Sequence, residues 1–211
     1  MKAVKIFAVA MVALVATSSV KAQEFKASAD IVSSYVWRGT YQSGAAVQPT
    51  LDFTAGGFSI GAWASTEFAG DMLMQEADLY AKYTFKSGLF AGITDYYYSG
   101  NKFFDYKKGG SHGLEANLGY TTGSLSLSGN YLLNVDNDLY FEAGYAFKKV
   151  TVFLGAGNGV FSNNGGFNVV NIGASVTKEI KISETFSIPL KASVILNPNR
   201  EDFMFVAGIT L

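Results

Sequence analysis

The chain has 211 residues, a formal net charge of −1 and only 16% charged residues, together with 23 glycines, 17 phenylalanines and 12 tyrosines. So many aromatic residues and so few charges exclude a disordered chain, and the near-neutral charge gives no basis for nucleic-acid binding. Cysteine is absent, which excludes a lipoprotein anchor and a disulfide framework.

Residues 1–22 have the three parts of a secretory signal peptide. Lys2 and Lys5 precede an apolar run over residues 6–16, and Val20-Lys21-Ala22 resembles an A-x-A cleavage site. The apolar run is about 11 residues long, whereas a membrane-spanning helix needs roughly 20. We therefore expect residues 1–22 to be removed on export and residues 23–211 to form one domain.

From Phe25 onward the chain alternates between apolar and polar residues. In segment 77–85, Leu79, Ala81 and Tyr83 alternate with Asp78 and Lys82. Strand side chains alternate between two faces, so each such segment predicts a strand, and about twelve segments of roughly 8–13 residues can be identified. They are 25–38, 48–55, 58–67, 77–85, 89–98, 113–121, 124–133, 138–147, 150–157, 168–177, 187–196 and 202–211.

Short and long links alternate between these segments. The short links are 56–57, 86–88, 122–123 and 148–149, and the long ones are 39–47, 68–76, 99–112 and 158–167. Bacterial outer-membrane barrels have short periplasmic turns and longer outer loops in this order. Link 178–186 is the exception, because it should be short. We predict an all-β, closed, antiparallel, up-and-down transmembrane β-barrel of about twelve strands. Segment 202–211 should pair with the first strand.

Aromatic residues cluster at both ends of the predicted strands. One group lies beside the short links, namely Phe53, Phe58, Phe85, Tyr120, Phe147 and Phe186, and the other lies near the opposite ends, namely Tyr35, Trp37, Phe68, Tyr96, Tyr97, Tyr98 and Phe203. Two aromatic belts are typical of a barrel that spans a membrane. The alternative is a soluble, lipocalin-like barrel, in which the apolar face would point inward.

If the apolar face meets lipid, the polar face lines the interior. The charged candidates for lining a pore are Lys26, Asp30, Arg38, Asp52, Glu67, Asp78, Lys82, Glu115, Glu142 and Lys191. Most strand glycines share this face, which leaves room for the large interior residues Trp63, Tyr80, Phe90, Tyr140 and Phe153. Two interiors remain open: a slim, weakly cation-leaning channel past the glycines, and a plugged barrel whose charges pair internally.

Catalytic and metal-binding patterns are sparse. The only histidine, His112, follows Ser111, and with Asp105 it invites comparison with outer-membrane lipid hydrolases. Adjacent residues do not readily act as nucleophile and base, so Ser126 or Ser128 would have to approach from the next strand. Asp136-Asn137-Asp138 lacks EF-hand spacing and predicts a hairpin loop. We expect no catalytic, cofactor or metal site.

The first strand and the hairpin after it resemble the TorF family of porins. The resemblance is carried by residues 30–43, DIVSSYVWRGTYQS, and by Pro49, Asp52, Gly57, Gly61, Trp63 and Ser65. Ser34 replaces the family's usual aspartate, and Trp37 replaces its usual phenylalanine. The resemblance implies an outer-membrane porin. Arg38, near the outer rim, would then pair with Asp52 or Glu67 or meet a passing anion.

These observations together predict a narrow, non-enzymatic channel for passive diffusion of small solutes across a bacterial outer membrane. Outer-membrane lipids, small solutes and the barrel-assembly machinery are the expected partners. Two alternatives remain. One is a lipid-modifying enzyme that uses His112, and the other is a structural or adhesive barrel with a plugged interior, in which Phe103, Phe104 and Tyr106 contact surface partners.

Overall fold

The computed structural model describes residues 23–68, 75–98, 102–135 and 138–211. Its strands are β1 Gln23–Val32, β2 Tyr35–Trp37, β3 Thr40–Ser43, β4 Ala46–Ala55, β5 Phe58–Glu67, β6 Gln75–Thr84, β7 Leu89–Tyr98, β8 His112–Thr122, β9 Leu125–Leu132, β10 Leu139–Phe147, β11 Val150–Gly159, β12 Gly165–Lys181, β13 Ser187–Asn197 and β14 Asp202–Thr210. Within these ranges no helix is long and apolar enough to cross a membrane. The predicted signal peptide and residues 136–137 of the predicted hairpin loop lie outside the described residues.

Twelve strands close into one antiparallel barrel in which each barrel strand pairs with the next along the chain. β1 pairs with β4 along its whole length, from Gln23 opposite Ala55 to Val32 opposite Ala46. β14 closes the ring against β1, with Ile31 opposite Ile209. The structure confirms the predicted all-β, up-and-down barrel of twelve strands and the closing role of the last strand.

The apolar face of the wall points outward and the polar face points into the lumen. Leu79, Leu118 and Phe205 on the outer face are each about three-fifths exposed, whereas Glu115 and Asp78 on the inner face are buried. Soluble monomers rarely expose a contiguous apolar surface of this extent. The lipocalin-like alternative requires the opposite arrangement and does not fit.

Large aromatic rings on the inner face lie against glycines of a neighbouring strand. Tyr80 covers Gly61, Phe90 covers Gly119 and Phe153 covers Gly173, so that a Cβ at any of these glycines would collide with the ring. The Tyr140 hydroxyl lies over Gly155 in the same way. These rings therefore lie along the wall instead of crossing the lumen.

The first predicted strand is too long. β1 ends at Val32, and residues 33–45 leave the wall as a separate hairpin formed by β2 and β3. Alternation continues through β2 because β2 is itself a strand, so the pattern does not reveal the break at Ser33-Ser34. The exceptional link at 178–186 has a simpler explanation: β12 continues to Lys181, and the link shortens to residues 182–186.

The second aromatic belt is also partly wrong. Tyr35, Trp37, Tyr96 and Tyr98 lie in the lumen, where Tyr35 and Tyr96 are buried. Phe68 and Phe203, at the same end of the barrel, are exposed as expected. Position along a strand therefore predicted the level of these rings, but not which side of the wall they face.

Candidate functional site

The hairpin of residues 33–45, here called the plug hairpin, folds into the lumen from the mouth that carries the long links. The Tyr35 ring lies 5.3 Å from the Trp63 ring on β5, and the Trp37 ring lies 5.4 Å from Tyr96 on β7. On the opposite side of the barrel, Asn197 Nδ2 on β13 donates to the Gly39 carbonyl over 2.9 Å. Contacts with β5, β7 and β13 mean that the plug hairpin extends across the lumen.

The tip of the plug hairpin is a two-residue turn at Arg38 and Gly39. Both have positive φ, 50° and 77°, as the tight turn that joins two antiparallel strands requires. Gly39 also packs directly on the backbone of Val170 in β12, where a Cβ would collide with the Val170 carbonyl oxygen. The sequence Arg-Gly thus makes the turn and brings the arginine across the lumen to β8.

Arg38 is held by a fully buried carboxylate. Its Nη1 donates to Glu115 Oε1 over 2.6 Å, and its Nη2 donates to Glu115 Oε2 over 2.8 Å. Glu115 Oε2 also accepts from the Tyr96 hydroxyl and from Asn117 Nδ2, over 2.8 Å and 2.7 Å. A two-pronged pair between arginine and carboxylate is among the strongest charge-assisted contacts in proteins. Additional donors on the carboxylate offset the cost of burying its charge.

Three aromatic rings surround the guanidinium. The Arg38 Cζ lies 4.6 Å from the Trp37 ring centre, 4.6 Å from Tyr140 and 5.1 Å from Phe161. Aromatic faces attract cations, and the attraction strengthens where water is excluded. We call this set, Trp37, Glu115, Tyr140 and Phe161, the arginine cage.

A cavity of about 480 Å³ lies on the short-turn side of the plug hairpin. Trp37, Arg38 and Tyr140 form part of its lining, so the cavity borders the arginine cage directly. Lys82 and Glu142 place charges of both signs on its wall. Glu142 Oε2 accepts from the Tyr140 hydroxyl over 2.5 Å and from Asn171 Nδ2 over 2.9 Å. The lumen is therefore filled by the plug hairpin on one side and holds a polar cavity on the other.

Two further carboxylates lie on β6 beside the plug hairpin. Glu76 and Asp78 are 2% and 7% exposed. Glu76 accepts hydrogen bonds from Tyr35 and Tyr98, yet its Oε2 atom has no partner, and neither has Oδ1 of Asp78. Asp78 is the register partner of Tyr96, whose hydroxyl binds Glu115. The region around the arginine cage thus contains buried acceptor oxygens that a donor can still satisfy.

The other predicted lining residues make separate contacts. Lys191 Nζ pairs with Asp30 Oδ2 over 3.1 Å. Asp52 Oδ1 accepts from the Tyr80 hydroxyl over 2.6 Å, and Lys26 is its register partner on β1. Lys82 Nζ lies 5.6 Å from the Phe90 ring centre.

The expectation that Arg38 pairs with Asp52 or Glu67 is wrong. Glu67 instead accepts from the Gly44 amide over 2.8 Å, and Arg38 pairs with Glu115 because the plug hairpin carries it out of the first strand and across the lumen.

His112 lies on the outer face of the wall, near the mouth that carries the long links. Its Nδ1 contacts Asp95 Oδ1 over 2.7 Å, its Nε2 faces the Phe103 carbonyl, and its ring stacks on Tyr106 at 4.0 Å. The Tyr106 hydroxyl donates to the other oxygen of Asp95 over 3.1 Å. Burial and the Asp95 carboxylate raise the pKa of Tyr106. His112 thus fastens the loop of residues 102–111 to the wall.

This geometry differs from the proposed hydrolase arrangement. Asp95, and not Asp105, is the carboxylate beside His112. The Ser111 hydroxyl donates to the Lys102 carbonyl over 2.6 Å. Ser126 and Ser128 share the inner face with Gly144 and Glu142, their register partners, so the wall separates them from His112. In the described part of the chain, no group of three or more acidic or histidine side chains is placed to hold a metal ion.

The fold and site define a closed twelve-stranded β-barrel with a hairpin plug inside its lumen. The model of a family described as "Bacterial protein of unknown function (Gcw_chp)" matches residues 16–187, and the chain belongs to this family. No curated protein matches the chain. The family description names neither TorF nor porins, so that resemblance stays a prediction.

The plug hairpin and its contacts are what sequence reasoning missed. The available signal is local: Arg38-Gly39 stands between two short runs of strand-forming residues, Tyr35–Trp37 and Thr40–Ser43. A tight-turn dipeptide in that position predicts a hairpin. The partner on β8, Glu115, has no local signal because it lies 77 residues away.

Proposed function

We propose that this protein is an outer-membrane barrel that conducts small solutes, with the plug hairpin as its gate. The outward apolar face supports insertion in a membrane, and the alternation of short and long links supports an orientation with the plug at the outer mouth. Outer-membrane lipids surround the barrel, and the barrel-assembly machinery inserts it. The protein has no enzymatic role.

The observation that carries the proposal is how the plug hairpin is attached. In the described part of the chain, β2 and β3 pair only with each other. Backbone hydrogen bonds to the wall lie at the two ends of the hairpin, from the Ser33 amide to the Ala207 carbonyl and from the Phe68 amide to the Ala45 carbonyl. Between them, side chains make most of the contacts. A segment anchored at its ends can move as a unit without breaking the barrel.

Deletion of the plug hairpin tests this function. Val32 and Ala46 are register partners, so an Asn-Gly turn in place of residues 33–45 joins β1 directly to β4. In planar-bilayer recordings we expect the full chain to stay mainly closed and the deletion variant to conduct in discrete steps. The retained barrel is checked by its heat-modifiable mobility on gels. A folded deletion variant without conductance would overturn the proposal.

The enzyme and adhesive alternatives have separate tests. Turnover of outer-membrane lipids that disappears in His112→Ala would support the enzyme. Binding to a surface partner that is lost in Phe104→Ser would support the adhesive barrel, because Phe104 is 87% exposed in the fastened loop. The contacts of His112 with Asp95 and Phe103 give it a structural role instead. The plug hairpin fills the lumen as the plugged-barrel alternative expects, and its attachment by backbone at the two ends is what favours a gated channel.

A further inference from the structure

The arginine cage has the composition of a binding site for an organic cation. A buried carboxylate presents both oxygens to one planar group, and the faces of Trp37, Tyr140 and Phe161 surround that group. Proteins recognise guanidinium and ammonium ligands by the same combination of carboxylate and aromatic faces. Here the occupant is a side chain of the protein itself, delivered by the plug hairpin.

The cage depends on a cation. Glu115 is completely buried, and a buried carboxylate that loses its partner is strongly destabilised. One oxygen of Glu76 and one oxygen of Asp78 nearby are also buried without a hydrogen-bond partner. A donor that enters this region can therefore bind them as well. When Arg38 leaves the cage, a cationic solute therefore gains the ion pair and the ring contacts that Arg38 loses. An anion is instead repelled by the carboxylates.

A solute can reach the cage from the cavity. Trp37 and Tyr140 of the cage, and Arg38 inside it, line the cavity, so a molecule in the cavity already lies against the cage. A volume of about 480 Å³ falls within the usual range for small-molecule sites. Glu142 on the cavity wall provides a further acceptor for a positively charged group.

We propose that the channel recognises small organic cations that carry a guanidinium or ammonium group, and that these compete with Arg38 for Glu115, Tyr140 and Phe161 and thereby release the plug hairpin. These three residues are the part of the arginine cage that lies outside the plug hairpin, whereas Trp37 moves with it. This inference rests on the proposed function, since it names the solute class of the same lumen. Arg38 then acts as an intramolecular competitor that carries the same charged group as the solute. A tethered ligand competes at an effective concentration in the millimolar range, so we expect the full chain to bind such solutes about tenfold or more weakly than a chain without Arg38.

Chemical rescue of Arg38→Ala tests the inference without measuring conductance. The refolded variant is titrated with methylguanidinium chloride and, in parallel, with methylurea, which has nearly the same shape and no charge. The readouts are tryptophan fluorescence and the thermal midpoint. Both tryptophans of the chain report on the plug, because Trp37 belongs to it and Trp63 packs on Tyr35.

We expect millimolar methylguanidinium to shift the fluorescence and raise the thermal midpoint of Arg38→Ala, with no effect of methylurea. The effect should vanish in Arg38→Ala combined with Glu115→Gln. Equal responses to the two compounds, or a response that persists without the Glu115 charge, would overturn the inference. If Arg38→Ala does not fold, Arg38→Gln replaces it, because glutamine keeps a polar side chain and lacks the charge.

The two proposals fail separately. If the deletion variant conducts and methylguanidinium gives no selective rescue, the channel proposal holds and the cation site is ruled out. If methylguanidinium rescues selectively and the deletion variant never conducts, the cation site holds and the channel is ruled out.

Discussion

Arg38 and Glu115 lie 77 residues apart in the chain and form a bidentate ion pair inside the barrel lumen. One partner comes from the tip of the plug hairpin and the other from β8 in the barrel wall. This pair is the main charged link between the two, and it explains why a hairpin whose backbone is bonded to the wall only at its two ends stays in the lumen.

Loss of the Glu115 charge should release the plug hairpin. Removing one partner of a buried ion pair costs roughly 3–5 kcal/mol, and undocking avoids this cost by bringing Arg38 to water. In Glu115→Gln we expect trypsin to cleave after Arg38 while the barrel stays folded. The matched control is Asp30→Asn, which breaks the half-exposed pair with Lys191 and should leave Arg38 protected. Protection of Arg38 in Glu115→Gln would contradict the role of the pair.

The ring contact at Gly173 makes a second prediction. Gly173→Val places a side chain where the Phe153 ring lies, and overpacking of this kind costs about 1–3 kcal/mol. We expect a lower urea midpoint for unfolding, with partial recovery when Phe153→Ala is added, because the new side chain also meets the Val194 carbonyl oxygen. Gly113→Ala is the control, because its Cβ meets ordinary contacts at 3.7 Å. If both glycine variants unfold at the same urea concentration, rings and glycines are not matched as described.

His112 should hold the loop of residues 102–111 on the outer wall. His112→Ala removes the contact of the ring with the partly exposed Asp95 carboxylate and the stacking on Tyr106, and a hydrogen bond of this kind contributes about 0.5–1.5 kcal/mol. We expect faster tryptic cleavage after Lys102 and Lys107 than in the unmodified protein. The double variant of Asp95→Asn and His112→Ala should be cleaved little faster than either single variant, since both changes remove the same contact. Additive increases in the cleavage rate would show that the two residues act independently.

The plug-deleted channel should prefer cations. Asp52, Asp78, Glu115 and Glu142 lie on the inner face, and rings of carboxylates select for cations. In a potassium chloride gradient the reversal potential should have the sign of a cation-selective pore. Glu142→Gln should reduce the reversal potential, and Glu184→Gln, a change at an exposed residue of the link between β12 and β13, should not. A reversal potential of the opposite sign would sink this prediction.

The barrel itself follows from local sequence. A period of two marks each strand, and the order of short and long links specifies how consecutive strands pair, because neighbours along the chain are neighbours in an up-and-down barrel. Segments 58–67 and 89–98 coincide with β5 and β7 for this reason. The glycines of the polar face correctly predicted space for large rings, since Tyr80, Phe90 and Phe153 fill it.

The interior was decided by contacts between distant residues. Alternation is the same for a strand in the wall and a strand in a plug, so the pattern predicts β2 as a continuation of β1. The same ambiguity placed Tyr35 and Trp37 at the lipid interface, although both lie in the lumen. The partner of Arg38 depends on where the tip of the plug hairpin meets β8, and the partner of His112 depends on a loop that folds back over the wall. Sequence periodicity therefore determined the barrel, because strand pairing between neighbours is local. Only the tertiary structure decided what fills the lumen, because packing of the plug joins residues that no local pattern relates.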